Sequence, residues 1–186
     1  MVTLLSEAPV QAEAAKDAYL NGDHAKAFTL WQRAAHAGEA EAQFNLAYMY
    51  ENAQGTKRDL FAAAKWYELA AGQNYPMSQQ MLSNVLRKID RESQKALLKW
   101  LPKAEAGDPN AQLAVSQVLV SKELTSRDDV EALKWLLLAE AGTKNSTTYK
   151  RIIRLKEKLI SMLDTQQVSD AKDRVENWKK LRETIR

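Results

Sequence analysis

The chain has 186 residues, enough for one domain with a continuous core. Hydrophobic residues are 45% and charged residues 27%; six Gly and four Pro are too few for a turn-rich β protein, and the lack of Cys excludes disulfides and thiol catalysis without fixing the compartment. The net charge of +3 is uneven, with three Lys/Arg against seven Asp/Glu over 1–56, twelve against eleven over 57–143, and twelve against six over 144–186.

The opening "MVTLLSEAPV" has no basic start and too short an apolar run for an intact signal peptide. Two readings stay open. The chain is cytoplasmic as written, or it belongs in the periplasm or cell envelope if a signal peptide preceded it. Residues 1–8 form an N-terminal extension that can be disordered. Apolar spacing and stop signals then predict helices at 9–20, 24–37, 40–52, 59–72, 76–88, 92–106, 109–122 and 128–141. A longer helix is predicted at 146–163 and a last one at 165–184. No segment shows sustained strand alternation, and no apolar run approaches the roughly 18–20 residues needed to span a membrane.

One joint recurs. "WQRAAHAGEAEAQ" (31–43), "YELAAGQNYPMSQ" (67–79) and "WLPKAEAGDPNAQ" (100–112) each carry an aromatic, small residues, a helix stop and a new start. The stops at Gly38, Asn74, Gly107 and Gly142 are 36, 33 and 35 residues apart, the period of a helix-pair solenoid. Gly and Asn tolerate the left-handed conformation just past a helix end. Asp108 and Pro109 suit the cap and first position of the next helix, and Pro76 has the same part in the second joint. Ala27, Ala63 and Ala96 precede the aromatics Trp31, Tyr67 and Trp100 by one turn, and Ala35, Ala71 and Ala104 follow by one turn. Each trio makes a stripe that a neighbouring helix can approach closely. The helices that follow align as large, small, large at Leu46, Ala47, Tyr50; Leu82, Ser83, Leu86; and Val115, Ser116, Leu119. Pro102 falls inside a predicted helix, where a kink or displaced turn is expected.

These residues carry a resemblance. Residues 40–74, "AEAQFNLAYMYENAQGTKRDLFAAAKWYELAAGQN", resemble a Sel-one-like repeat of the tetratricopeptide-like, bacterial type. Ala42, Leu46, Tyr50, Gly55, Asp59, Ala63, Trp66, Tyr67, Ala70 and Ala71 match the family pattern. Ala47, Thr56 and Asn74 depart from its preferred Gly, Val and Gly. Residues 14–38 resemble an incomplete first unit and 110–142 a further one, whereas 78–107 are weak and lack the Gly-rich loop, as does "SKELTSRDD". The resemblance covers roughly 10–181. It implies an all-α, right-handed α-solenoid of about four antiparallel helix pairs over 9–142, with C-terminal capping helices over 143–186. Asp164 and Gln167 form a capping-box pattern at the start of the last helix. The apolar faces Tyr149, Ile152, Ile153, Leu159, Ile160, Leu163 and Val168, Ala171, Val175, Trp178, Leu181 would cover the last repeat.

No catalytic constellation appears, and the chain is expected not to be an enzyme. His24 and His36 lack metal-type partners, and no metal or other cofactor is implied. Asp128 and Asp129 sit where acids complement a helix start. The five Trp fit packing slots better than base or sugar stacking. Lys150, Arg151, Arg154 and Lys158 give one helix a basic face, read as solvated; neither nucleic acid nor membrane contact is expected.

The resemblance implies a concave groove lined by Phe44, Tyr48 and Glu51, then Gln80, Asn84 and Arg87, then Leu113, Gln117 and Val120. Phe44 and Tyr48 point to function, because the packing pattern does not require aromatics there. The expected function is a non-enzymatic module that binds a partner protein or peptide in this groove. It would be a bacterial envelope adaptor or, alternatively, an immunity or inhibitor protein that masks a secreted toxin or effector. A monomer is expected.

Overall fold

The computed structural model describes residues 8–121 and 128–184. The expectations for the extension before residue 8 and for the corner at 122–127 lie outside the described residues. All described regular structure is helical: α1 (Ala8–Leu20), α2 (His24–His36), α3 (Ala40–Asn52), α4 (Leu60–Gly72), α5 (Ser78–Glu105), α6 (Pro109–Ser121), α7 (Asp129–Gly142), α8 (Ser146–Ile160) and α9 (Thr165–Thr184). The chain divides into two compact units, 1–89 and 90–186. In the first, α1 packs on α2, α2 on α3 and α3 on α4, the consecutive stacking of a helical-repeat solenoid. In the second, α6, α8 and α9 all pack on α7.

Acidic and amide caps set the helix starts. Asp23, Asp59, Asp108, Asp128 and Asn145 each accept a bond from a backbone N–H of the first turn. At α9 the bonding is reciprocal: Gln167 N donates to Asp164 Oδ1 at 2.8 Å, and Asp164 N to Gln167 Oε1 at 3.0 Å.

The predicted joints share one geometry. Gly38, Asn74 and Gly107 have φ of 99°, 56° and 96°. After α2, Gly38 N donates to Ala35 O and Glu39 N to Ala34 O. Asn74 with Tyr75, and Gly107 with Asp108, repeat the same two bonds. Gly142 is different. It is the last residue of α7, the following Thr143 is extended, and a Cβ there would lie 3.0 Å from Pro109 Cγ. Close packing, rather than a left-handed turn, accounts for this glycine.

Three further expectations need correction in α5. The two helices predicted at 76–88 and 92–106 are one helix, Ser78–Glu105. The sequence from Val85 to Trp100 contains no Gly, Asn or Pro to stop it, and Gln94 Nε2 bonds Asp90 Oδ2 at 3.0 Å across one turn. Pro76 is not the first helical residue. It stands in a turn whose Met77 has φ 63°. The third correction is register. Leu82 is half-buried and Ser83 exposed, while Ser78, Val85, Ile89 and Ser93 face inward. The helix continues through Pro102.

Elsewhere the stripes are buried as predicted except at Ala71, which is half-buried. Ala27, Trp31 and Ala35 are buried with Leu46 and Met49, and Ala63 and Tyr67 are buried in the next pair. Ala96 and Trp100 are only half-buried. Two buried glutamines reinforce the joints from inside. Gln43 Nε2 donates to Ala35 O at 3.3 Å, and Gln112 Nε2 to Ala104 O at 3.1 Å. Each adds a second donor to a helix-end carbonyl that already accepts from Gly38 N or Gly107 N at the joint. In the second unit Ile152 and Leu159 of α8 and Ala171 of α9 join Leu133 and Leu136 in one core. Tyr149 and Ile160 stay largely exposed.

Candidate functional site

The first unit carries a cleft of about 290 Å3, whose walls include Lys16, Tyr19 and Leu20 of α1 and Phe44 and Tyr48 of α3, with Trp31 of α2 below them. Its geometry starts at a corner. Ala53 and Gly55 are left-handed, and Asp59 N bonds back to Tyr50 O at 3.0 Å. Gly55 comes so near α2 that a Cβ would lie 2.1 Å from His24 O. That approach is open only to glycine. The same corner places Gln54 where its Oε1 accepts from Tyr19 OH at 2.9 Å. Tyr19 is thereby fixed over Trp31, with centroids 5.4 Å apart.

Phe44 is braced from the other side by Tyr67 at 5.3 Å and Tyr75 at 5.2 Å. Tyr48 and Leu20 are the solvent-facing apolar groups, 37% and 74% exposed. Tyr48's phenol is pushed above its usual range, first by the neighbouring Tyr19 and then by burial. The cleft therefore presents a neutral, largely aromatic surface with Lys16 and Glu41 also lining it.

The other predicted groove residues separate into three groups. Glu51 is buried: Tyr67 OH donates to its Oε2 at 3.0 Å, and Lys88 pairs with its Oε1. Burial and the Glu51 charge push Tyr67's phenol strongly upward. Glu51 is thus engaged inside the first unit rather than offered to a partner. Gln80 and Arg87 are exposed and Asn84 half-buried; Arg87 bonds Asn84, and none of the three lines the aromatic cleft. In the second unit Leu113 is buried with Ala132 and Leu133, contrary to the expectation of a groove position. Leu113 shares a helical face with core positions, so its side chain meets α7 rather than solvent.

Gln117 and Val120 do line a cleft, the larger one, of about 790 Å3 in the second unit. Its other wall is the basic face of α8: Lys150, Arg151, Arg154 and Lys158. In the sequence these are unrelated features. Tyr19 and Leu20 were not singled out there either, although an adjacent aromatic and leucine at the end of a helix, just before "NGD", is a usable signal. Among the described residues no group of three His, Cys, Asp or Glu could hold a metal ion, and no helix is long and apolar enough to cross a membrane.

Comparison with known proteins follows the repeat boundaries. The Sel1 repeat family matches residues 9–39, 40–75 and 109–142, together more than half of the chain. The segment between the second and third matches contains all of α5. The chitin synthase regulator SKT5 of Saccharomyces cerevisiae is 50% identical over 50 residues, 27% of this chain and 7% of that protein. The chain thus spans a small part of that relative. Two solved structures are similar at low identity and low TM-score. A Sel1 repeat protein from Oxalobacter formigenes is 18% identical, with 84% of this chain and 90% of that one covered and a TM-score of 0.37. The protective antigen c5321 of uropathogenic Escherichia coli, which displays an SLR fold, is 20% identical, with 94% and 30% covered and a TM-score of 0.35.

Proposed function

Because the chain belongs to the Sel1 repeat family, whose members generally mediate protein–protein interaction, we propose that it is a non-enzymatic binding module that takes a polypeptide segment of a partner in the aromatic cleft of its first unit. The observation that carries this reading is Tyr48 beside Leu20: apolar groups held open to solvent in a cleft lined also by buried Trp31 and half-buried Tyr19 and Phe44. Rigid aromatic anchors with a polar surround are what binding hot spots contain. Phe44 supplies the cleft wall but is packed by Tyr67 and Tyr75, so its removal would disturb the fold as well as the surface. Tyr48 separates the two effects better.

Peptides selected from a displayed random library against the whole protein provide the test. Tyr48→Ala should weaken a selected peptide by roughly tenfold or more, the scale of a hot-spot truncation, with an unchanged melting curve. Equal affinity for wild type and Tyr48→Ala would place the site elsewhere. An envelope adaptor and an inhibitor of a secreted effector are the two settings for such binding. Identification of a captured cellular partner separates them, since a toxin recovered with the chain favours the second.

A further inference from the structure

The cleft of the second unit has a different chemistry. Lys150, Arg151, Arg154 and Lys158 lie along one side of α8, a span of about 12 Å at 1.5 Å per residue. All four are exposed, and none makes an ion pair with a described residue. Lys156, on the same helix but turned toward α7, is tied to Glu140 at 2.7 Å. The helix therefore neutralises the cation that faces the core region and leaves the cleft-facing four unmatched. Among the described residues no Asp or Glu lines the cleft. Its remaining surface is Val120 and Leu155, with Gln117, Ser121 and Thr147 as hydrogen-bonding groups.

We propose that this cleft between α6 and α8 docks an acidic peptide segment of a partner protein, with carboxylates along the four cations and one apolar side chain seated on Val120 and Leu155. The charge pattern selects the occupant. An acidic strand offers negative groups at intervals that a row of helical cations can meet, and the amide and hydroxyls can bond its backbone. Single-stranded nucleic acid fits less well, because no aromatic is among the described residues that line the cleft for base stacking. A bilayer surface fits less well too. The middle of the apolar face of α8 is committed to the core through Ile152 and Leu159, which leaves Tyr149 and Ile160, near the two ends of the helix, as isolated exposed groups rather than a continuous side to insert. The site is independent of the aromatic cleft in the first unit.

The experiment uses the full chain and a short fluorescein-labelled peptide of glutamates interrupted by leucine, followed by fluorescence anisotropy at low salt. Binding is expected, weakening as salt rises because the exposed charges are screened. Lys150→Glu combined with Arg154→Glu should lower affinity by roughly tenfold or more, whereas Tyr48→Ala should leave it unchanged. Gln117→Glu puts a negative charge in the cleft without removing a cation, and should lower affinity by a few fold with an unaltered helical circular dichroism spectrum. The proposal is overturned if the peptide does not bind, if the double variant binds as wild type does, or if a lysine-for-glutamate peptide binds equally. It is also overturned if phosphatidylserine vesicles or a single-stranded oligoribonucleotide bind more tightly and displace the peptide. Low-salt self-association that the double variant abolishes, without peptide binding, would make a second copy the occupant and overturn it likewise.

Discussion

In the first unit, two successive repeats keep the whole pattern: alanine stripe, buried aromatic, left-handed stop and, in the second, a glycine corner against α2. In the second unit the intact repeat is α6 with α7, and its remaining helices are part of α5 and the pair α8 and α9, which do not match the family. Five of the six tyrosines fall in the first unit and only Tyr149 in the second. The four unmatched cations of α8 belong to the second. The difference teaches that repeat geometry and surface chemistry vary separately. Matched repeats alone wall the aromatic cleft, whereas the basic cleft sets one repeat helix, α6, against α8 from outside the repeats.

The sharpest way to break the comparison is through glycine. Gly55→Ala should destabilise the first unit by about 3 kcal/mol or more, since the new Cβ would meet the His24 carbonyl and the residue is left-handed. In the second unit, the three atoms nearest the Cβ of Gly107→Ala would all belong to the Arg182 side chain. Its Nη1 would lie 2.6 Å away, at the far end of a flexible side chain that can shift from Glu105 O and the Trp178 ring. The cost there should be about 1–2 kcal/mol, from the left-handed backbone alone. Urea denaturation of both variants checks the order; a larger loss at Gly107 would contradict it.

Ala63→Leu comes next, at about 1–3 kcal/mol from overpacking at a fully buried stripe position. The half-buried counterpart Ala96 should accept leucine with little loss. Thermal melts that rank the two the other way would show that the stripe is not the contact.

Tyr67→Phe should cost about 1–3 kcal/mol, because it leaves the buried Glu51 carboxylate without one of its two partners. It also has a pH signature. Burial raises the phenols of Tyr67, Tyr50 and Tyr75 above their ordinary value of 10.0. A raised pKa in the folded state means that the fold holds the proton more tightly than the unfolded chain does. The associated stability is complete below about pH 10 and is lost as pH rises beyond it. Wild type should therefore lose stability in alkali more steeply than Tyr67→Phe. Parallel curves for the two proteins would remove Tyr67 from that account.

Much of this is legible in the residues alone. The alanine-aromatic stripes, the stops at Gly38, Asn74 and Gly107, and the Asp164–Gln167 box are local, so spacing along the chain is enough to find them. The continuity of α5 is not legible, because Asp90 and Ser93 look like a helix start when the chain is aligned to its own repeats. Ser93 is instead buried within the helix. Glu51 looks like a surface acid. Its burial depends on Tyr67 and on Lys88, 16 and 37 residues further on. The basic cleft is hidden for the same reason: Gln117 and Lys150 meet only once α6 and α8 have both packed on α7.

Hydrogen–deuterium exchange of the full chain with and without a selected peptide tests the central claim most directly. Bound peptide should slow exchange in α1 near 16–20 and α3 near 41–48, with α8 unaffected. Protection confined to α8, or no protection at α1 and α3, would contradict the aromatic cleft as the binding site.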